Sequence, residues 1–293
     1  MRRRFVTLDV FTTQRFAGNP LAVVLEPQGL DDAAMQAVAR EFNLSETVFV
    51  LPPSEPGHRA RLRIFTPGRE LPFAGHPTVG TAVLLASLDG GAERRALVLE
   101  ETVGPVRCQV APSAGGGFAR FDLPRLPEQV GAAADSAVLA GALGLAPDDI
   151  GFAGFVPAVW SAGNAFTFVP LRGRAHVARS RPDTGRWDAA FGNAGAFLFC
   201  GEPVAAQNAF HGRMYGQGMG IYEDPATGSA VAALAGLVAP TLRDGDHDLG
   251  IEQGFDMGRP SLIRLALTTR QGRLAAASIG GDAVIVSEGA IEA

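Results

Sequence analysis

His76-Pro77-Thr78-Val79-Gly80-Thr81-Ala82-Val83 and Asp224-Pro225-Ala226-Thr227-Gly228-Ser229-Ala230-Val231 align without a gap, 148 residues apart. Two further pairs keep the same order. Ala17-Gly18-Asn19-Pro20-Leu21-Ala22-Val23-Val24 matches Ala162-Gly163-Asn164-Ala165-Phe166-Thr167-Phe168-Val169 at an offset of 145, and Leu99-Glu100-Glu101 matches Ile251-Glu252-Gln253 at 152. A single such pair in a chain rich in Ala and Gly means little. Three in order, with a slowly growing offset, mark an internal duplication, so the 293 residues read as two copies of one fold of about 145 residues.

In both members of the first pair, Pro lies where a first helical turn begins, and an apolar small-residue run follows: Ala82 to Leu88 and Ala230 to Val238. Neither run has a polar face, and a helix that is apolar all round is a buried one. Each is expected to pass through the middle of its own half, wrapped by strands. Two buried helices related by duplication can point their N-termini at one shared cleft. Unpaired N–H groups and positive dipole ends converge there, which suits a carboxylate or another small anion. Taken alone, Thr78 and Asp224 read as helix caps. Gly80 and Gly228 leave backbone bare, as expected where a ligand approaches. His76 against Asp224 at the first position suits the two sides of an asymmetric ligand.

Hydrophobic residues make up 47% and charged residues 19%, the balance of an ordered globular chain, and the net charge of −5 disfavours a broad nucleic-acid-binding face. All 25 basic residues are Arg. Without lysine there is no Schiff base with pyridoxal phosphate, no Walker-type phosphate loop and no Ser-Lys dyad. Cys108 and Cys200 match no metal spacing and read as buried, inert thiols. No Gly-X-Ser-X-Gly elbow surrounds Ser229, so it is not read as a hydrolase nucleophile. Gly216-Gln217-Gly218-Met219-Gly220 has the wrong glycine spacing for a dinucleotide fingerprint. Asp244-Gly245-Asp246-His247-Asp248 mimics a calcium loop, but Leu249 stands where that loop needs Gly, and the stretch is read as a solvated turn. No metal site is expected. Arg2-Arg3-Arg4 leads into strand-like alternation rather than a signal peptide, and Ala226 to Ala239 falls short of the ~20 apolar residues of a membrane span. A soluble cytoplasmic protein with no membrane or nucleic-acid partner is expected.

Locally, strands are expected at Phe5 to Val10, Pro20 to Leu25 and Ser45 to Leu51. A helix whose apolar face is Ala34, Met35, Val38, Ala39 and Phe42 is capped by Asp31 or Asp32 and stopped at Asn43. Ala114-Gly115-Gly116-Gly117 reads as a hairpin tip, Pro124 and Pro127 as a linker, and Ala132 to Leu145 as a small-residue helix.

Asp9-Val10-Phe11-Thr12 with Gly18-Asn19-Pro20, then Ser45-Glu46-Thr47-Val48-Phe49, Gly75-His76-Pro77-Thr78 and Glu223-Asp224-Pro225-Ala226-Thr227-Gly228-Ser229-Ala230, resemble the PhzF family. These are phenazine-biosynthesis-like isomerases with the diaminopimelate-epimerase fold. The resemblance covers nearly the whole chain. It implies an α+β fold of two pseudo-symmetric halves, each a bent, mostly antiparallel sheet around a central apolar helix, with the active site between them. The division expected is 1–120 with a returning C-terminal strand at 281–293, and 121–280.

The resemblance also implies roles. Glu46 matches the general acid/base that moves a proton between carbons of a small cyclic or unsaturated acid, and burial among Leu44, Val48 and Phe49 suits such a carboxyl. His76 and Asp224 match positions that hydrogen-bond and orient substrate. Ser229, Gly75 and Gly228 match donors to its carboxylate. Asn19 is expected either to hold the loop that closes the cleft or to cap a turn. Family members use no cofactor and are usually homodimers. Epimerases of the same fold that need one thiol from each half fit less well, because His76 and Asp224 stand where those thiols belong. A small-acid-binding protein without chemistry is the other alternative, and retention of Glu46 argues against it.

Overall fold

A computed structural model describes residues 1–217 and 221–293. Gly218, Met219 and Gly220, the end of the glycine-rich stretch at 216–220, lie outside the described residues. The fold is α+β, and the chain divides into two units, Met1–Pro124 with Gly280–Ala293, and Arg125–Ile279.

In the first unit, β1 (Arg2–Val10) pairs antiparallel with β2 (Asn19–Leu25), and β2 runs parallel to β3 (Glu46–Leu51) with Leu21 opposite Glu46. Helix α1 (Asp32–Phe42) makes the β2–β3 crossover, starting at Asp31, whose side chain accepts from the Ala34 N–H, and ending at a left-handed Asn43. Its apolar stripe, Met35, Val38 and Ala39, is buried with Val24, Phe49 and Phe65. Strand β4 (Ala60–Phe65) lies antiparallel to β3, and β5 (Glu70–Leu71) turns back on β4. Helix α2 (Gly75–Leu88) follows, then β6 (Arg95–Glu101), parallel to β4. Strands β7 (Gly104–Ser113) and β8 (Gly116–Asp122) complete an antiparallel meander.

The C-terminal part of the last strand of the chain, Arg273–Glu292, pairs with both β8 and β1 and closes these strands into a barrel. Helix α2 packs against β1, β2, β3, β6, β7 and β8, so it runs inside that barrel. Every residue from Gly75 to Ala86 is buried. A helix without a polar face leaves no other solution, since each enclosed Val or Leu contributes roughly 1.5–3 kcal/mol over exposure. Gly80 corrects one sequence-based expectation. A Cβ there would stand 2.7 Å from side-chain atoms of both Leu21 and Val10. Its bare backbone therefore admits the barrel wall, with no ligand needed to explain it.

The second unit repeats this pairing scheme. Strand β9 (Glu128–Gly131) pairs with β10 (Ala158–Ser161), β10 with β11 (Ala165–Pro170), and β11 runs parallel to β12 (Gly195–Cys200). Helices α3 (Ser136–Leu143), α4 (Arg174–Arg179) and α5 (Thr184–Phe191) bury Leu143, Val177 and Trp187 in one cluster against β12. Then come β13 (Phe210–Gly216), β14 (Ile221–Asp224), helix α6 (Gly228–Val238), β15 (Gly245–Gln253) and β16 (Ser261–Arg270), and the last strand is β17. Strand β15 runs parallel to β13, as β6 does to β4. Helix α6 packs against β9, β10, β11 and β16.

Two local expectations need correction. Pro77 lies inside α2, but its counterpart Pro225 precedes α6 by three residues, because the 224–227 segment is held in a non-helical turn by side-chain bonds described below. Thr78 and Asp224, which read as caps only when taken alone, are not caps: the N-cap residues are Ala74 and Thr227, and neither makes a side-chain cap bond. The acidic stretch at 244–248 is mostly strand rather than solvated turn. Asp244 accepts from the Gln271 and Gly272 N–H groups at the facing hairpin, and Asp246 from the Thr268 hydroxyl.

Candidate active site

The residues singled out from the sequence form two groups, one in each unit. In the first, parallel pairing with β2 fixes the backbone of Glu46 at the start of β3. Its side chain is 13% exposed, and Oε2 lies 3.3 Å from Nδ1 of His76, the second residue of α2. His76 is buried, its Nε2 has no hydrogen-bond partner among the described residues, and burial lowers its pKa to about 3, with the Pro20 backbone pulling the other way. The ring is therefore neutral at physiological pH, and its contact with Glu46 is a polar contact rather than an ion pair. Gly75, buried, is the first helical residue and adds a backbone N–H from the N-terminal turn.

Asn19 is fully buried at the start of β2 and immediately precedes Pro20. The loop before it is tightly made. The Phe16 N–H donates to Asp9 Oδ2 at 2.6 Å, and Phe11, Phe16 and Gly18 all have positive φ. Gly18 is required, because a Cβ there would overlap the Val10 carbonyl.

In the second unit, Asp224 closes β14 and is buried. Its Oδ2 accepts from the Thr227 hydroxyl at 2.6 Å. Gln253, wholly buried on β15, holds the turn. Its Nε2 donates to the Asp224 carbonyl at 2.7 Å and to Thr227 Oγ1 at 3.0 Å, and its Oε1 accepts from the Thr227 N–H. Gly228 and Ser229 open α6, Gly228 buried and Ser229 partly exposed. Sequence reasoning misses Asp9, Glu101 and Gln253 as site residues. For the last two, the signal is the third repeat pair, where Glu101 aligns with Gln253.

The two thiols are far from thiolate character. Both are buried, and burial, with Glu101 and Asp122 adding to it, pushes Cys108 up to about 12; burial also raises Cys200. Neither is a competent base near neutral pH. The folded protein is expected to react with a soluble disulfide reagent at least about 100-fold more slowly than the same chain in denaturant. Rapid labelling of Cys108 in the folded state would return the two-thiol epimerase mechanism to consideration.

A family model described as phenazine biosynthesis-like protein matches residues 8–289. An uncharacterized isomerase from Mesorhizobium japonicum is 52% identical over 98% of both chains. The trans-2,3-dihydro-3-hydroxyanthranilate isomerase of Pseudomonas chlororaphis is 33% identical, again over 98% of both. A PhzF-family phenazine biosynthesis protein of Bacillus anthracis matches in structure with a TM-score of 0.90, covering 100% of each chain at 27% identity. The chain belongs to the PhzF family of phenazine biosynthesis-like proteins. It is an isomerase.

Proposed function

We propose that this isomerase moves one proton between carbons of a small cyclic or unsaturated carboxylic acid, with no cofactor, that each chain holds the two halves of a diaminopimelate-epimerase-type fold, and that two chains form a cytoplasmic homodimer. Glu46, as carboxylate, takes the proton from an sp3 carbon next to a conjugated system. The electron pair spreads into that system, and the same carboxyl returns the proton to another of its carbons. Nothing is oxidised or reduced, and the enzyme ends in its starting protonation state. Neutral His76 orients the substrate by hydrogen bonding. The Gly75 and Gly228 N–H groups, Ser229 and Asp224 bind its carboxylate and polar substituents, and Asn19 supports the loop leading to Pro20.

The observation that carries this reading is the Glu46–His76 pair, a mostly buried carboxyl 3.3 Å from a neutral imidazole at the start of an enclosed helix. The relative that acts on trans-2,3-dihydro-3-hydroxyanthranilate supports the substrate class.

The test is incubation in heavy water with trans-2,3-dihydro-3-hydroxyanthranilate, other unsaturated cyclic acids and common amino acids, followed by mass spectrometry. Isomerisation of, or deuterium uptake into, a cyclic acid is expected. Uptake confined to the α-carbon of an amino acid would overturn the reading in favour of an epimerase.

A further inference from the structure

The third repeat pair places Glu101 of β6 where the second unit has Gln253 of β15, and both reach the start of their unit's central helix. Gln253 Nε2 donates to Thr227 Oγ1 at 3.0 Å. In the first unit, Thr78 Oγ1 stands 2.7 Å from Glu101 Oε1 and 2.8 Å from the Ala74 carbonyl. A hydroxyl has one hydrogen, and the Ala74 carbonyl only accepts. With an ionised Glu101, two acceptors compete for that hydrogen and one contact is repulsive. A protonated Glu101 satisfies both. Its other oxygen, Oε2, is buried with no hydrogen-bond partner among the described residues, which a neutral carboxyl tolerates far better than a carboxylate.

We propose that Glu101 is a positioning residue for the first turn of α2: it stands protonated, its carboxyl hydrogen goes to Thr78 Oγ1, and the Thr78 hydrogen goes to the Ala74 carbonyl. The relay ties down the turn that presents Gly75 and His76. Losing the Glu101 proton reverses its bond to Thr78 and frees the Ala74 carbonyl, so the site is gated by alkaline pH. Burial pushes the Glu101 carboxyl up to about 8, while the Thr78 hydroxyl and the Ala74 backbone pull the other way. The groups around it fit a neutral acid. From β7, Cys108 faces it as an uncharged thiol, and Asp122, on β8, also acts on Cys108. A cavity of about 390 Å³ reaches Glu101, and the other charged groups lining it are Arg61, Arg63, Glu70 and Glu100. Arg63 is engaged by Glu70 and Asp32, and Glu100 by the Ser54 and Glu55 N–H groups and His58.

The consequence for the site rests on the function proposed above; the protonation itself does not. The test compares the parent with Glu101→Gln, which installs the chemistry of Gln253, and with Glu101→Leu. The Gly75 and His76 amide resonances are expected to shift through about pH 8 in the parent and to stay fixed in the Gln variant. The sign of the stability change follows from the raised pKa. Between the ordinary value of 4.5 and about 8, only the folded state holds the proton, so the parent's unfolding constant rises up to about tenfold per pH unit. The Gln variant lacks that rise. With a working substrate, parent kcat/KM falls about tenfold per unit above pH 8, the Gln variant stays level there, and the Leu variant is impaired at every pH. Parent and Gln variant with the same amide titrations and the same pH dependence of stability would overturn the proposal. If neither turns over any substrate, the function fails on its own, and the amide and stability curves still decide the role of Glu101.

Discussion

Glu46→Gln is expected to lower kcat by about 10³-fold, within the 10²–10⁴ that a positioned acid/base contributes. Gln keeps the shape of the side chain and a polar atom toward His76 Nδ1, but it cannot take up a proton. The fold is expected to survive, because the backbone of Glu46 is held by the parallel β2–β3 pairing rather than by its carboxyl. Thermal midpoints within a few degrees of the parent would confirm that the loss is chemical. Burial lowers the His76 pKa to about 3, so its protonation lies far below the working range. The pH profile of kcat should therefore carry no limb from this imidazole near its ordinary value of 6.5. Turnover by Glu46→Gln within tenfold of the parent would place the base elsewhere. An imidazole limb lost in His76→Asn would assign the proton to His76 instead.

The central helices are legible in the sequence, because 14 residues from Gly75 to Leu88 without a polar face have only one stable environment. The barrel around α2 is not legible from local pattern. It closes through residues at opposite ends of the chain, with Arg2 opposite Glu292 and Val10 opposite Ala283, and no spacing in the sequence encodes that register. Gly80 shows the ambiguity of a single residue type. A bare backbone serves a ligand and a close-packed Leu21 equally well, and only the packing distinguishes them. The contact of Glu46 with His76 is likewise out of reach of the sequence, since it depends on where β3 begins relative to α2. The duplication also extends to a carboxylate whose sequence context matches only loosely. Glu100 and Glu252 do the same work in both units, accepting from two loop N–H groups and from Nδ1 of a histidine, His58 or His211. Sequence similarity there is faint because two of the three shared donors are backbone groups, which leave no trace in side-chain identity.

That duplicated carboxylate leads to the largest stability effect expected. Glu252 lies on β15 with its side chain 2% exposed. It accepts from the Val204 N–H at 2.6 Å, the Ala205 N–H and Asn208 Nδ2 at 2.8 and 2.7 Å, and His211 Nδ1 at 3.0 Å. Glu252→Ala removes the acceptor shared by four donors, two of them on buried side chains. Leaving such groups unpaired costs about 3–5 kcal/mol, a large share of the roughly 5–15 kcal/mol that holds a domain folded. Urea denaturation at neutral pH is the measurement. Glu100→Ala should cost less, because its side chain is 12% exposed and its donors regain water. The sign of the pH dependence follows from the same bonds. Burial alone would raise the Glu252 pKa, but the Ala205, Asn208, Val204 and His211 donors outweigh it and hold the carboxyl below its ordinary 4.5. A depressed carboxyl contributes stability above its unfolded pKa and loses it as pH falls through the folded value. The parent should thus lose stability below about pH 5, and the gap between parent and Glu252→Ala should narrow there. A cost under about 1 kcal/mol at neutral pH would mean that water or a shifted loop replaces the carboxylate, and that the clasp adds little to the second unit.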